Sequence, residues 1–287
     1  MENLLGGIEA GGTHFVCAVG NSPENIKDQT SFLTTTPRKT METVINFFRP
    51  HKNITGIGIG SFGPVDLDKN SSTYGMITTT PKKDWRNVNI LEITKSSLDI
   101  PVNIDTDVNA ALLAEHKWGN AKNKDNVIYI TVGTGIGGGA ILNGKLIHGL
   151  SHPEMGHMKI PRNSNDNFEG VCEYHRDCLE GLASGKAIEK RLKENITNHD
   201  KTIWEFESQY LGIAISNLIL SMSPQRIVLG GGVLNHEGLI DDVRIQTLKS
   251  LNNYVYMDEI ISDIDSYILP PYLGDNAGVL GAILLAK

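Results

Sequence analysis

The sequence predicts a two-domain α/β protein built on a duplicated hairpin. The strand, glycine turn, strand pattern of Leu4 to Gly20 returns at Val127 to Leu142, and strand-like and helix-like segments alternate between and after the two copies. Length agrees, because 287 residues suit either one large domain or two ordinary ones around a ligand-holding cleft. With 40% hydrophobic and 21% charged residues, most of the chain is expected to fold.

In chain order, two apolar strands flank Glu9-Ala10-Gly11-Gly12-Thr13, where glycine permits positive φ and close backbone approach, making this a candidate phosphate turn. Thr40 is expected to cap a helix carrying Met41, Val44, Ile45 and Phe48 on one face. Ile54 to Gly60 reads as a buried strand. Val102 to Ile104 reads as a short strand followed by a helix from Asp107 to Trp118, with Gly119 expected to end it in a left-handed conformation. The second hairpin runs Val127-Ile128-Tyr129-Ile130, then a glycine-rich turn, then Ala140-Ile141-Leu142. A long helix over Thr202 to Met222 places Leu211, Ile215, Leu218 and Met222 on one stripe and stops before Pro224. Arg226 to Leu229 is a strand opening into Gly230-Gly231-Gly232-Val233, with a helix expected near His236. No Pro- or Ser-rich linker interrupts the chain. The expected domains are 1–116, joined by a helix near 275–287, and 117–274, meeting near Trp118 to Asn126.

Composition excludes several functions. Lys and Arg total 26 against 33 Asp and Glu, a net charge of −7, which disfavours nucleic acid as a partner. The longest uncharged runs, Asn126 to Gly144 and Ser208 to Gln225, are broken by glycines or by polar residues and Pro224, so no membrane span is expected. The N-terminus lacks a basic flank and apolar stretch. Three cysteines make no disulfide framework and point to a reducing compartment or a metal site. The cytoplasm is the expected location.

The sharpest local signal is Cys172-x2-His175-x2-Cys178 with His157 upstream. Two thiolates and two imidazoles complete a tetrahedral zinc shell, and four protein ligands make the ion structural, organising Pro161 to Val171. The alternative is two buried cysteines beside surface histidines. Cys17 is left over as a small buried strand residue. Each glycine turn alone is most often only a tight turn, but three turns after strands offer backbone N–H groups to phosphates. None has the Walker or dinucleotide-binding pattern. Asp107 stands where a strand meets a helix N-terminus. It reads either as an ordinary N-terminal acid or as a base that the helix dipole keeps ionised to accept a hydroxyl proton. Glu154 and Glu180 flank the metal ligands as candidate partners for sugar hydroxyls, whereas most glutamates are solvated surface residues.

Together these segments resemble the ROK family of bacterial sugar kinases and repressors, most closely its zinc-containing fructokinases. The resemblance rests on Gly6-Gly7-Ile8-Glu9-Ala10-Gly11-Gly12-Thr13, Gly60-Ser61-Phe62-Gly63-Pro64-Val65-Asp66 and Asp105-Thr106-Asp107-Val108-Asn109. It also rests on Ser151-His152-Pro153-Glu154-Met155-Gly156-His157, Leu179-Glu180-Gly181-Leu182-Ala183-Ser184-Gly185 and Leu229-Gly230-Gly231-Gly232-Val233. It implies an actin-like ATPase (ribonuclease H-like) fold that phosphorylates fructose with ATP and Mg²⁺, and a homodimer. Asp107 then matches the catalytic base, and Glu154, His157 and Glu180 match sugar-contacting positions. Gly11, Gly12, Thr13, Thr134, Gly135 and Gly137 match phosphate contacts, while Gly181, Gly230, Gly231, Gly232 and Val233 match positions near the nucleotide. His157 would place one ring nitrogen on zinc and the other on a sugar hydroxyl.

The chain departs from the family pattern at several positions. Glu9 replaces the usual Asp linked to Mg²⁺, and His14 stands where Lys or Arg is often found. Val171 and Glu173 occupy the first two positions of the common Cys pattern, with Cys172 and His175 serving instead as in the fructokinase subgroup. Thr106 and Lys82 occupy positions where Asn is common, which favours fructose over glucose. Mannose or another hexose remains an alternative substrate, and a non-catalytic sugar sensor an alternative function.

Overall fold

The computed structural model describes residues 3–193 and 200–287. The chain divides into two units. One comprises Met1–Lys122, Leu146–Pro153 and Tyr272–Lys287, the other Asn123–Lys145 and Glu154–Pro271.

In the first unit, β1 (Leu4–Ala10), β2 (His14–Gly20) and β3 (Ile26–Leu33) form an antiparallel meander. β1 also pairs in parallel with β4 (Ile54–Ser61). A small antiparallel ribbon, β5 (Met76–Ile77) with β6 (Val88–Asn89), precedes β7 (Val102–Thr106), which extends the main sheet in parallel beside β4. Central β1 is buried along most of its length, while the edge strand β3 is mostly exposed, with no residue fully buried.

Helix α1 (Pro37–Phe48) starts three residues before the expected Thr40. Pro37 has no N–H to satisfy and suits the first turn, so it opens the helix after Thr36. Thr40 lies buried inside that turn, its hydroxyl accepting from the Thr35 N–H at 3.0 Å. Met41, Val44 and Phe48 face the core, whereas Ile45 is half-buried. Helix α2 (Ile90–Leu98) is capped by Asn89, whose side chain accepts from the Glu92 N–H at 2.9 Å.

Helix α3 (Asp107–Trp118) has the expected bounds. Thr106 caps it by accepting from the Asn109 N–H at 3.1 Å. Gly119 is extended, with φ −112° and ψ −150°, and not left-handed. Glycine is needed here for room: a methyl group on Gly119 would lie 2.0 Å from Glu115 Oε2, the oxygen that accepts from the Asn120 N–H at 2.8 Å. The C-terminal helix Ala277–Leu285 lies against β1, β4 and α3 in this unit. A methyl group on Gly58 would lie 1.9 Å from Ala282 O, and one on Gly281 1.7 Å from Ala110 O. Two glycines thus let backbone approach backbone where a larger residue would force the elements apart.

The second unit repeats the plan. β8 (Val127–Val132) pairs antiparallel with β9 (Ile136–Leu142), and β10 (Lys145–Leu146) follows on the outer side of β9. β8 is parallel to β11 (Arg226–Gly230), which is parallel to β12 (Ile268–Leu269). Third, second, first, fourth and fifth strand is therefore the order in both sheets, and the duplication visible in the sequence is a duplication of topology. The unit also carries helices α4 (Leu179–Ala183), α5 (Gly185–Lys193), α6 (Asp200–Met222) and α7 (Leu239–Leu251), followed by two one-turn helices, Asp258–Ile261 and Ile264–Tyr267. Leu211, Ile215 and Leu218 of α6 are buried as their stripe predicts, with Met222 half-buried at its end. The helix expected near His236 begins at Leu239, because Gly232–Asn235 first makes a short 3₁₀ turn and Gly238 adopts φ +78°. Among the described residues, no helix is long and apolar enough to cross a membrane.

Candidate active site and metal centre

The first unit gathers its acids at the carboxyl ends of its parallel strands. Glu9 on β1 pairs with Gly60 on β4, and Gly60 with Asp105 on β7, so these positions form one row across the sheet. Asp107 follows two residues beyond, as the first residue of α3. Its Oδ1 accepts from the Val108 N–H at 2.9 Å. The helix terminus does not by itself set the ionisation of this acid. Burial outweighs the backbone N–H bonds and pushes its pKa up to about 6. Asp107 is still about nine-tenths ionised at pH 7, and a pKa just below the working pH is what a general base requires.

Glu9 is pushed further, to about 7, by burial and then by the negative charges of Asp107 and Asp275, against a bond from the Val279 N–H. Its Oε2 is buried and has no hydrogen-bond partner among the described residues. The carboxylate is seated on the first turn of the C-terminal helix, where a methyl group on Gly278 would collide with it at 2.3 Å. An orphaned carboxylate oxygen among other acids is a set of hard donors, which fits Mg²⁺ better than a soft ion.

Asp105 organises the surroundings of Asp107. Its Oδ1 accepts from the Thr106 N–H and from Asn109 Nδ2, both at 2.7 Å, and its Oδ2 lies 2.8 Å from His148 Nε2. That bond raises the His148 pKa. His152 works in the opposite sense: burial lowers its pKa, and its Nε2 accepts from the Val65 N–H at 3.2 Å. The segment Leu146–Pro153 is thereby tied into the first unit by one histidine as donor and one as acceptor. These partners carry no sequence signal, because Asp105 and His148 are 43 residues apart. The Gly11-Gly12-Thr13 turn joins β1 to β2, closed by the Gly11 N–H bonding to His14 O at 3.0 Å.

In the second unit the other two glycine turns are neighbours. β8 and β11 pair Thr131 with Gly230, so the turn through Thr134, Gly135 and Gly137 and the turn through Gly230, Gly231, Gly232 and Val233 leave the same end of the sheet. Gly231 adopts φ +98°, and a methyl group added there would lie 2.4 Å from Val132 O, so only glycine fills the position. Glu180 on α4 does not stand apart from these turns, since its Oε2 accepts from the Ile136 N–H at 3.0 Å. Gly181 follows it within α4. Glu154 is exposed and precedes the 3₁₀ turn Met155–His157.

The four expected zinc ligands converge. Ligand atoms of His157, Cys172, His175 and Cys178 all lie within 4.8 Å of one another. His157 Nδ1 is 3.7 Å from Cys172 Sγ and 3.5 Å from Cys178 Sγ, and His175 Nδ1 is 3.7 Å from Cys172 Sγ. Zinc bonds of about 2.3 Å to sulfur and 2.0–2.1 Å to nitrogen, at a tetrahedral angle, set N···S near ~3.6 Å. The residues therefore fit zinc. Burial pushes the Cys178 thiol up to about 11, and a bound dication would supply the charge that stabilises its thiolate. The loop between His157 and Cys172 has a second anchor for which the sequence offers no local signal. Asp166 receives two bonds from Arg191, at 2.7 and 2.8 Å, and one from the Tyr210 hydroxyl at 2.5 Å.

The sequence profile of the ROK family matches residues 5–287. The chain belongs to the ROK family. A Bacillus subtilis (strain 168) relative is 48% identical over 99% of this chain and 95% of its own length. The fructokinase of Lactococcus lactis subsp. cremoris is 43% identical over 100% of this chain and 98% of its own length. Among solved structures, the ROK hexokinase of Thermus thermophilus superposes with a TM-score of 0.77 at 25% identity, covering 99% of this chain and 97% of that one. The ROK sugar-kinase fold implied by the motifs is therefore the fold of this chain.

Proposed function

We propose that this ROK protein transfers the γ-phosphoryl group of ATP to D-fructose, giving fructose 6-phosphate and ADP. The observation that carries the reading is Asp107, a half-buried carboxylate whose desolvation holds its pKa near 6 at the carboxyl ends of parallel strands, beside the orphaned oxygen of Glu9. The full-length likeness to a fructokinase supports fructose as the acceptor.

In this reading Asp107 accepts the proton of the sugar 6-hydroxyl as that oxygen bonds to the γ-phosphorus, and the bond to the β–γ bridging oxygen breaks to release ADP. Glu154, His157 and Glu180 hold sugar hydroxyls. His157 presents Nδ1 to the thiolates, so its Nε2 is the nitrogen left for the sugar. Backbone N–H groups of the turns at Gly11 to Thr13, Thr134 to Gly137 and Gly230 to Val233 orient the nucleotide. Mg²⁺, when bound, would offset charge on the phosphates, and Glu9, whose Oε2 has no partner among the described residues, would hold it. Zinc held by His157, Cys172, His175 and Cys178 would have four protein ligands and so would be structural.

The test is ADP release with fructose, mannose and glucose in turn, on metal-replete protein and after chelation. Fructose-dependent turnover that chelation abolishes and Mg²⁺ alone does not restore supports the reading. Absence of turnover with every hexose overturns it, and a clear preference for mannose or glucose overturns the choice of fructose.

A further inference from the structure

Gly11, Gly12, Thr13 and His14 bring no permanent positive charge to the first glycine turn. The neighbouring acids Glu9 and Asp107 and the net charge of −7 oppose a polyphosphate. The structure supplies a cation from elsewhere in the same unit. A methyl group on Gly12 would lie 3.3 Å from Lys82 Cε, so the end of the Lys82 side chain rests against the turn across 70 residues of sequence. No ion pair or hydrogen bond engages the Lys82 ammonium among the described residues.

The backbone that carries Lys82 is held firmly. Its N–H donates to Thr80 Oγ1 at 3.3 Å, and Arg86 Nε donates to Thr80 O at 2.7 Å. Lys82 opens the 3₁₀ turn Lys83–Trp85. Trp85 is buried with Phe15 and Phe62, at ring-centroid distances of 5.4 and 5.6 Å, and its indole N–H donates to Thr35 O at 3.0 Å. Phe15 belongs to β2, the strand that leaves the glycine turn. One aromatic cluster therefore sets both the turn and the cation over it. A half-buried ammonium kept at the end of an anchored stem costs little reorganisation when a phosphate arrives.

We propose that Lys82 is the phosphate-binding cation of the Gly11–Thr13 turn, supplying to the transferring phosphoryl group of ATP the charge that the turn's own residues lack. The proposal rests on the kinase reading above. In phosphoryl transfer, catalysis is mostly positioning and electrostatic stabilisation. Removing one charge-stabilising donor from such a site lowers turnover by roughly 10²–10³-fold.

The experiment compares wild type, Lys82→Met and Lys82→Arg by calorimetric ATP titration without sugar and by fructose-dependent ADP release, with melting temperatures as the control for folding. Lys82→Met is expected to melt as wild type does, to bind ATP at least tenfold more weakly and to lose about 10²-fold in kcat/KM for ATP. The KM for fructose should stay within twofold, and Lys82→Arg should recover most of the loss. ATP binding by Lys82→Met equal to wild type overturns the proposal. So does a defect confined to the KM for fructose, which would make Lys82 a sugar ligand. If wild type turns over no hexose, the kinase reading falls, while the ATP titrations still decide the role of Lys82.

Discussion

Replacing Asp107 by Asn tests the assignment of the base and the physical account of its environment at once. The substitution keeps the size of the side chain and an oxygen to accept from the Val108 N–H, which in wild type lies 2.9 Å from Oδ1, and removes only the charge. A positioned base contributes about 10²–10⁴-fold, so turnover should fall by at least about two orders of magnitude with sugar binding retained. Stability should move the other way. The folded-state pKa is raised from 3.8 to about 6 by burial, so the favourable contribution present below pH ~4 is lost as pH rises through 6. Above pH 6 the ionised carboxylate costs the folded state about 3 kcal/mol. At pH 7.5 the variant should therefore melt several degrees above wild type, whereas at pH 4 the two should coincide. In wild type, kcat/KM should rise about tenfold per pH unit up to pH ~6 and then level off. Coupled ADP release and thermal melting across pH 4–8 measure all three. More than a tenth of wild-type turnover in the variant would remove Asp107 from the base role, and a lower melting temperature at pH 7.5 would refute the desolvation argument.

Glu9→Gln should also stabilise the protein above pH ~7, since Glu9's raised pKa of about 7 means its favourable contribution is lost as pH rises through that value; it should raise the Mg²⁺ concentration needed for half-maximal turnover, and an unchanged Mg²⁺ requirement would count against Glu9 as a ligand. Elemental analysis should find one zinc per chain in wild type and none in Cys178→Ser, with a lower melting temperature in the variant; retention of zinc would mean that Cys178 is not a ligand. Asp166→Asn leaves Arg191 buried without its anion and should destabilise by roughly 3–5 kcal/mol in chemical denaturation; a loss below about 1 kcal/mol would show that the loop is held by the metal alone.

The features legible in the sequence are local ones. The hairpins can be read because a glycine turn between apolar strands is a short-range signal, and α3 because an uninterrupted helical run from Asp107 follows the strand directly. The convergence of the candidate metal ligands can be read because Cys172, His175 and Cys178 lie within seven residues, so that spacing reports geometry. Even local reading fails where two signals compete. At α1, a threonine that can cap stands three residues after a proline that can begin a helix, and the proline prevails. At Gly119, glycine answers to the nearby Glu115 carboxylate and not to its own φ.

The electrostatics of Asp107 show why the remainder is out of reach. From the sequence, an acid at a helix N-terminus is a favourable charge held ionised by the dipole. That local stabilisation is present, as the Val108 bond shows. Burial outweighs it, and burial is a property of what closes over the residue: the strand end at Gly60, packed against Ala110 and Asp107, and the C-terminal helix whose Gly281 meets Ala110. Glu9 follows the same rule, since its environment is set by Gly278 and Val279 at the far end of the chain. Sequence pattern therefore singles out these acids as candidates, while the chain's last helix, whose first residue lies 170 positions beyond Asp107, helps set the pH at which Glu9 carries its charge.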